Sequence, residues 1–130
     1  MRFICRAHPG HLADLIEAQG FVVDLLPCDN LPPVGLRPLE PESWLGVPWD
    51  VDARETEAVI QAYEYPPDWL VVDHYSLDQR WEQALRDLVG RIAVIDDVAD
   101  RPHDCDLLLD QSLATDPEAR YAGLIPRDCV

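Results

Sequence analysis

Lysine is absent from this 130-residue chain, and all ten basic residues are arginines. That absence excludes a Walker-type phosphate-binding lysine, a Schiff-base lysine and a lysine general base. Basic residues of any kind are few, ten against 25 acidic ones, giving a net charge of −15. A nucleic-acid backbone needs cations clustered on one face, so this balance argues against nucleic acid as a partner. Anionic membrane surfaces are disfavoured on the same ground. No run approaches the roughly 18 consecutive apolar residues of a membrane helix. The start Met1-Arg2-Phe3-Ile4-Cys5-Arg6 meets charge again too early for a secretory signal. A cytoplasmic location is expected.

Other absences narrow the chemistry. There is no Gly-x-Ser-x-Gly elbow, no Gly-x-Gly-x-x-Gly loop and no His-Glu-x-x-His helix. The four cysteines, Cys5, Cys28, Cys105 and Cys129, form no Cys-x-x-Cys pair, and reduced thiols are expected rather than a disulfide framework. His103-Asp104-Cys105-Asp106 contains metal-ligating types, but no second cluster matches it, so no metal is expected.

What the chain does have is alternation. Arg2–Cys5 is a short strand-like start. After the Pro9-Gly10 turn, Leu12, Leu15, Ile16 and Gln19 share one helical face, and Gly20 supplies a stop. Phe21 to Leu26 reads as a strand. Residues 27–48 hold six prolines without periodicity and predict a long, irregular, exposed loop. A helix is expected near Asp52, where Asp52-Ala53-Arg54-Glu55 has capping-box spacing, with Thr56, Val59, Ile60 and Tyr63 facing inward. Asp68 to Asp73 is a short apolar run, and Trp81, Leu85 and Leu88 mark a helix between Leu77 and Val89 that Gly90 stops. Ile92–Ile95 and Leu107–Leu109 are two further apolar runs, and Pro117 to Tyr121 suggests a helical turn. Apolar runs alternating with amphipathic helices predict a single α/β domain of β-α-β units, with a parallel sheet covered on both faces by helices.

Ligands of such sheets bind beyond the carboxyl ends of the strands. Those ends carry Arg6-Ala7-His8, Asp73-His74-Tyr75-Ser76, Asp96-Asp97 and Asp110-Gln111-Ser112. A plain scaffold would need only turn residues there. Asp96-Asp97 reads either as a turn or as site acids, Asp73 as a site residue or a helix cap, and His74 as a site residue or a core-edge histidine. Tyr75 is the most telling, because a phenol just past a buried strand lies where a sugar or phosphate would. His8 and His11, three apart at a helix start, read as turn and surface residues before ligands.

Three strings carry a family resemblance: Pro67-Asp68-Trp69-Leu70-Val71-Val72-Asp73-His74-Tyr75, the segment from Val94-Ile95-Asp96-Asp97 through Leu107-Leu108-Leu109-Asp110-Gln111, and Tyr121-Ala122-Gly123-Leu124-Ile125-Pro126. In this order they resemble UDP-2,4-diacetamido-2,4,6-trideoxy-β-L-altropyranose hydrolase of pseudaminic acid biosynthesis. Phe3-Ile4-Cys5-Arg6 and the stretch from Gly10-His11-Leu12 to Gly20-Phe21 fit the same family's preceding segment, leaving only the Pro-rich loop unplaced. The resemblance implies a GT-B-like enzyme with two Rossmann-type domains. It hydrolyses a UDP-sugar at the anomeric carbon without metal or redox cofactor. It implies substrate-side roles for Tyr75, with Asp73 and His74, and for Gln111; Ser112 stands where relatives commonly have asparagine.

The family's general base is a histidine in a Gly-x-Gly-His-x-x-Arg segment, which does not occur in these 130 residues. Gly10-His11 aligns with a later helix, so no catalytic residue is assigned. The resemblance covers an internal part of the family's N-terminal domain. The chain alone is therefore expected to be inactive, and its sheet to have unpaired edges that favour self-association. Two other readings stand beside this one. The first is a non-catalytic nucleotide-sugar-binding or regulatory α/β domain. The second is a receiver-like module using Asp96 and Asp97, against which the missing lysine counts.

Overall fold

The computed structural model describes residues 1–28, 44–113 and 116–130. Two parallel sheets organise it. In the first, β1 (Arg2–Arg6) lies beside β2 (Val22–Leu26), with Arg2 opposite Val22 and Arg6 opposite Leu26. In the second, β3 (Trp69–Val72), β4 (Arg91–Ile95) and β5 (Leu107–Leu109) run in the order β3-β4-β5. Every strand pair is parallel, as the alternating pattern predicts. Helices α1 (Ala13–Ala18), α2 (Trp49–Gln61), α3 (Gln79–Leu85) and the single turn α4 (Pro117–Arg120) complete a mixed α/β fold. Among the described residues β1 and β3 do not pair, so the strands form two small sheets rather than one.

Local chemistry explains the elements. The Asp78 side chain accepts from the Arg80 N–H at 2.9 Å and so caps α3. Trp81 and Leu85, one turn apart, then drop onto the sheet, and a 3-10 turn over Arg86–Leu88 closes the helix. Gly90 follows because the chain passes too close to β3 for a side chain, a Cβ there falling 2.8 Å from the Asp68 carbonyl oxygen. The core is continuous. Leu85 and Ile92 are fully buried, Val94, Val72, Trp81 and Ile60 nearly so, and Leu70, Leu108 and Ile4 pack against them.

Several expectations change. Helix α2 begins at Trp49, three residues before the anticipated capping box, with Pro48 at its N-cap. Asp52 lies one turn inside and faces inward: it joins Ala53, Thr56 and Ile60 in the buried stripe, while Val59 and Tyr63 are only partly covered. Most of the Pro-rich loop, residues 29–43, lies outside the described residues. Its described end is not simply exposed, because Leu45 is 5% exposed within the core and Val47 packs beside it. In α1, Ala13 and Ile16 face β2, whereas Leu12 and Leu15 are 64% and 58% exposed. Leu12 and Gln19 are the caps of this six-residue helix and lie outside its regular turns.

The largest correction concerns the sheet faces. Leu70, Val72, Ile92, Val94 and Leu108 point into the core, so alternation puts Trp69, Val71, Leu107 and Leu109 on the opposite face. Those four residues are 37% to 60% exposed. Among the described residues, helices therefore cover one face of this sheet, not both. No helix among the described residues is long and apolar enough to cross a membrane.

Candidate functional site at the strand ends

Parallel pairing in register brings the carboxyl ends of β3, β4 and β5 to one edge: Val72 lies opposite Val94, and Ile95 opposite Leu109. The residues that follow each strand are the polar ones singled out above. Tyr75 stands partly exposed at this edge, and its hydroxyl donates to Asp97 Oδ1 at 3.0 Å. Its ring meets Trp44 edge-on, with centroids 5.9 Å apart at 81°. The bond to the Asp97 carboxylate, more than any other influence, pushes the Tyr75 phenol above its usual pKa and keeps it protonated. Trp44, Tyr75, Val98, Asp100 and Arg101 line a cleft of about 140 Å³.

Asp96 and Asp97 divide the two readings between them. Asp96 is buried, with its Oδ2 accepting from Ala99 N–H at 2.9 Å and from the Tyr121 hydroxyl at 3.0 Å. Arg101 pairs with its other oxygen at 2.9 Å. It therefore builds the turn, in which Ala99 takes a left-handed conformation (φ 54°). Asp97 faces outward to Tyr75. Arginines hold the surrounding loops. Arg101 also donates to the Leu77 carbonyl at 2.8 Å, and Arg120 bonds Asp110, Ser112 and the Asp97 carbonyl. The bond with Ser112 first, then the charge of Arg120, hold the Asp110 carboxyl below the usual range.

His74 is half-buried, and its Nδ1 accepts from the Ser76 N–H at 3.1 Å, which puts the neutral ring's proton on Nε2. Burial pushes its pKa below the ordinary 6.5; the charge of Asp52 opposes the shift and His8 reinforces it. Asp73 is exposed at the end of β3, and Asp78 rather than Asp73 caps α3. Gln111 is exposed beside the Arg120 cluster at the end of β5. The structure thus joins Tyr75 directly to Asp97, while His74 turns toward the neighbouring backbone and Gln111 stands at another strand end.

At the end of β1, Arg6 folds inward instead of reaching the edge. It bonds Asp52 Oδ2 at 2.6 Å and Glu55 at 2.7 Å, and the Trp81 indole donates to Asp52 Oδ1 at 2.9 Å. His8 Nδ1 lies 3.5 Å from the Cys28 thiol, and His11 accepts from Ala13 N–H at the start of α1. The His103–Asp106 string is spent internally. His103 donates to the buried Glu82 at 2.7 Å, Asp104 and Asp106 hold Arg86, and Cys105 meets Cys129. Among the described residues no three His, Cys, Asp or Glu side chains are grouped to hold a metal ion.

Sequence reasoning did not single out Trp44, Arg101 or Arg120. Trp44 lies in the aperiodic Pro-rich stretch, where no spacing marks it. The arginines could have been sought as the counter-ions that several acids at one edge require. A larger depression, about 240 Å³, lies over Pro102–Asp104 and residues 123–126, but it holds none of the strand-end groups. Comparison with protein-family models and with curated proteins found no match to this chain.

Proposed function

We propose that this chain forms the sugar-facing wall of a UDP-sugar hydrolase of GT-B-like architecture, acting on a UDP-linked diacetamido trideoxy sugar. The observation that carries the reading is the cleft at the strand ends, where Trp44, Tyr75 and Val98 offer apolar surface beside Asp100 and Arg101, and Asp97 fixes the Tyr75 hydroxyl. An apolar wall with a few fixed polar groups is how small-molecule sites bind and orient a ligand. The family resemblance of the strings around Tyr75 and Asp97 supports the sugar assignment. The cleft's 140 Å³ fits part of one ring, whereas whole ligand sites occupy about 300–1,000 Å³. A whole nucleotide sugar therefore requires a second wall. A UDP-sugar ligand suits a cytoplasmic setting.

A non-catalytic nucleotide-sugar-binding domain is the second reading, favoured by the absence of a Gly-x-Gly-His-x-x-Arg segment from these residues. Under either reading the chain alone binds the sugar nucleotide weakly and releases no UDP. Titration of tryptophan fluorescence with the UDP-sugar tests this. Trp44→Ala should weaken binding about tenfold and Tyr75→Phe about fivefold, corresponding to roughly 1 kcal/mol for each contact. Unchanged affinity in both variants would remove the site, and UDP release lost in His11→Ala would overturn the placement of the base.

A further inference from the structure

We propose that Cys105 and Cys129 are a thiol–disulfide exchange site that closes into a disulfide with small-molecule disulfides and clamps residues 121–130 onto the sheet. The two Sγ atoms lie 3.4 Å apart, against about 2.05 Å in a disulfide, so a small movement joins them. Their surroundings are asymmetric. Cys105 is 2% exposed, two residues before β5, while Cys129 is only half-buried. Cys28 has a different partner, His8.

The segment bearing Cys129 is already laid along the sheet. Val130 exchanges backbone bonds with β5, accepting from Leu108 N–H at 2.9 Å and donating to the Asp106 carbonyl at 3.1 Å. Upstream, the Leu124 carbonyl accepts from His103 N–H, and the Tyr121 hydroxyl holds Asp96. These contacts hold the two thiols close, so the covalent link follows from a small local movement. The link also ties down Tyr121, and through Asp96 the turn that lines the Tyr75 cleft.

The exchange runs in two balanced steps. Cys129, the less buried thiol, attacks a small disulfide such as oxidised glutathione; its sulfur bonds one glutathione, and the other leaves as thiol carrying the cysteine proton. Cys105 then attacks the Cys129 sulfur and expels the second glutathione as thiol, leaving the protein oxidised by two electrons and two glutathiones reduced. Burial raises the pKa of both cysteines, so each step runs through a minor thiolate fraction, and the closeness of the two sulfurs favours the second.

The test treats the folded chain with oxidised glutathione and maps its peptides by mass spectrometry, with a thermal melt alongside. A Cys105–Cys129 cross-linked peptide is expected. The melting temperature should rise by roughly 5–10 °C and fall back on reduction. Cys129→Ser should lose both effects. Cys105→Ala should stop at a glutathione adduct on Cys129, which reads the order of steps even if that variant is less stable. A glutathione that stays on Cys129 in the unsubstituted chain, or a cross-link without a rise in melting temperature, overturns the proposal.

Discussion

Asp52 collects three donated hydrogen bonds, two from Arg6 and one from the Trp81 indole, with both members of the ion pair under a tenth exposed. A carboxylate so placed ties the end of β1 to α2 and α3. Removing it leaves a buried guanidinium without its main partner, and breaking such pairs costs about 3–5 kcal/mol. Asp52→Ala should therefore lower stability by that amount in urea unfolding; a loss under 1 kcal/mol would show that water or Glu55 takes over. His74 gives a second prediction. Its folded pKa lies below 6.5, so the unfolded chain binds more protons in that range, and stability should fall as pH drops from 7 through 6.5 and below. His74→Gln should flatten that part of the profile. A further fall is expected below the ordinary carboxylate value of 3.8, where Asp24, held down by Arg2, Asp78, held down by Arg80, and Asp106, held down by the Ile92 N–H and then Arg86, take up protons.

At the scale of elements, alternation along a strand separates inside from outside with large consequences. Ile92 is fully buried in β4 and Val71 is 60% exposed in β3. Ile92→Ala should cost about 2–5 kcal/mol and Val71→Thr no more than about 0.5 kcal/mol, measured by equilibrium unfolding. The strands and α3 were legible in the sequence because apolar runs and the Trp81–Leu85 spacing report burial directly. The start of α2 was not, because Asp52-Ala53-Arg54-Glu55 has the spacing of a cap while Asp52 is an internal partner of Arg6, 46 positions away. Long-range pairing of that kind leaves no local signature. The same limit hid Trp44, whose place beside Tyr75 depends on tertiary contact. Tyr75 was legible because it directly follows a strand.

For the whole molecule, the arrangement of strands matters more than their number. Among the described residues the β1-β2 and β3-β4-β5 sheets remain separate, leaving β1 and β3 each with one partner. A face bearing Val71, Leu107 and Leu109 is open as well. Unpaired edges and apolar faces favour association, while a net charge of −15 opposes it. Self-association should thus increase with both protein concentration and salt. Sedimentation velocity showing a monomer throughout would mean the edges are protected by other means. The central claim, that the ends of β3 and β4 form a sugar-nucleotide wall, is most directly tested by titrating the UDP-sugar into isotopically labelled protein and following backbone amide and tryptophan indole resonances. Saturable shifts confined to residues 73–76, 96–101 and the Trp44 indole are predicted. Shifts centred on β1 and β2, or none up to millimolar ligand, would contradict it.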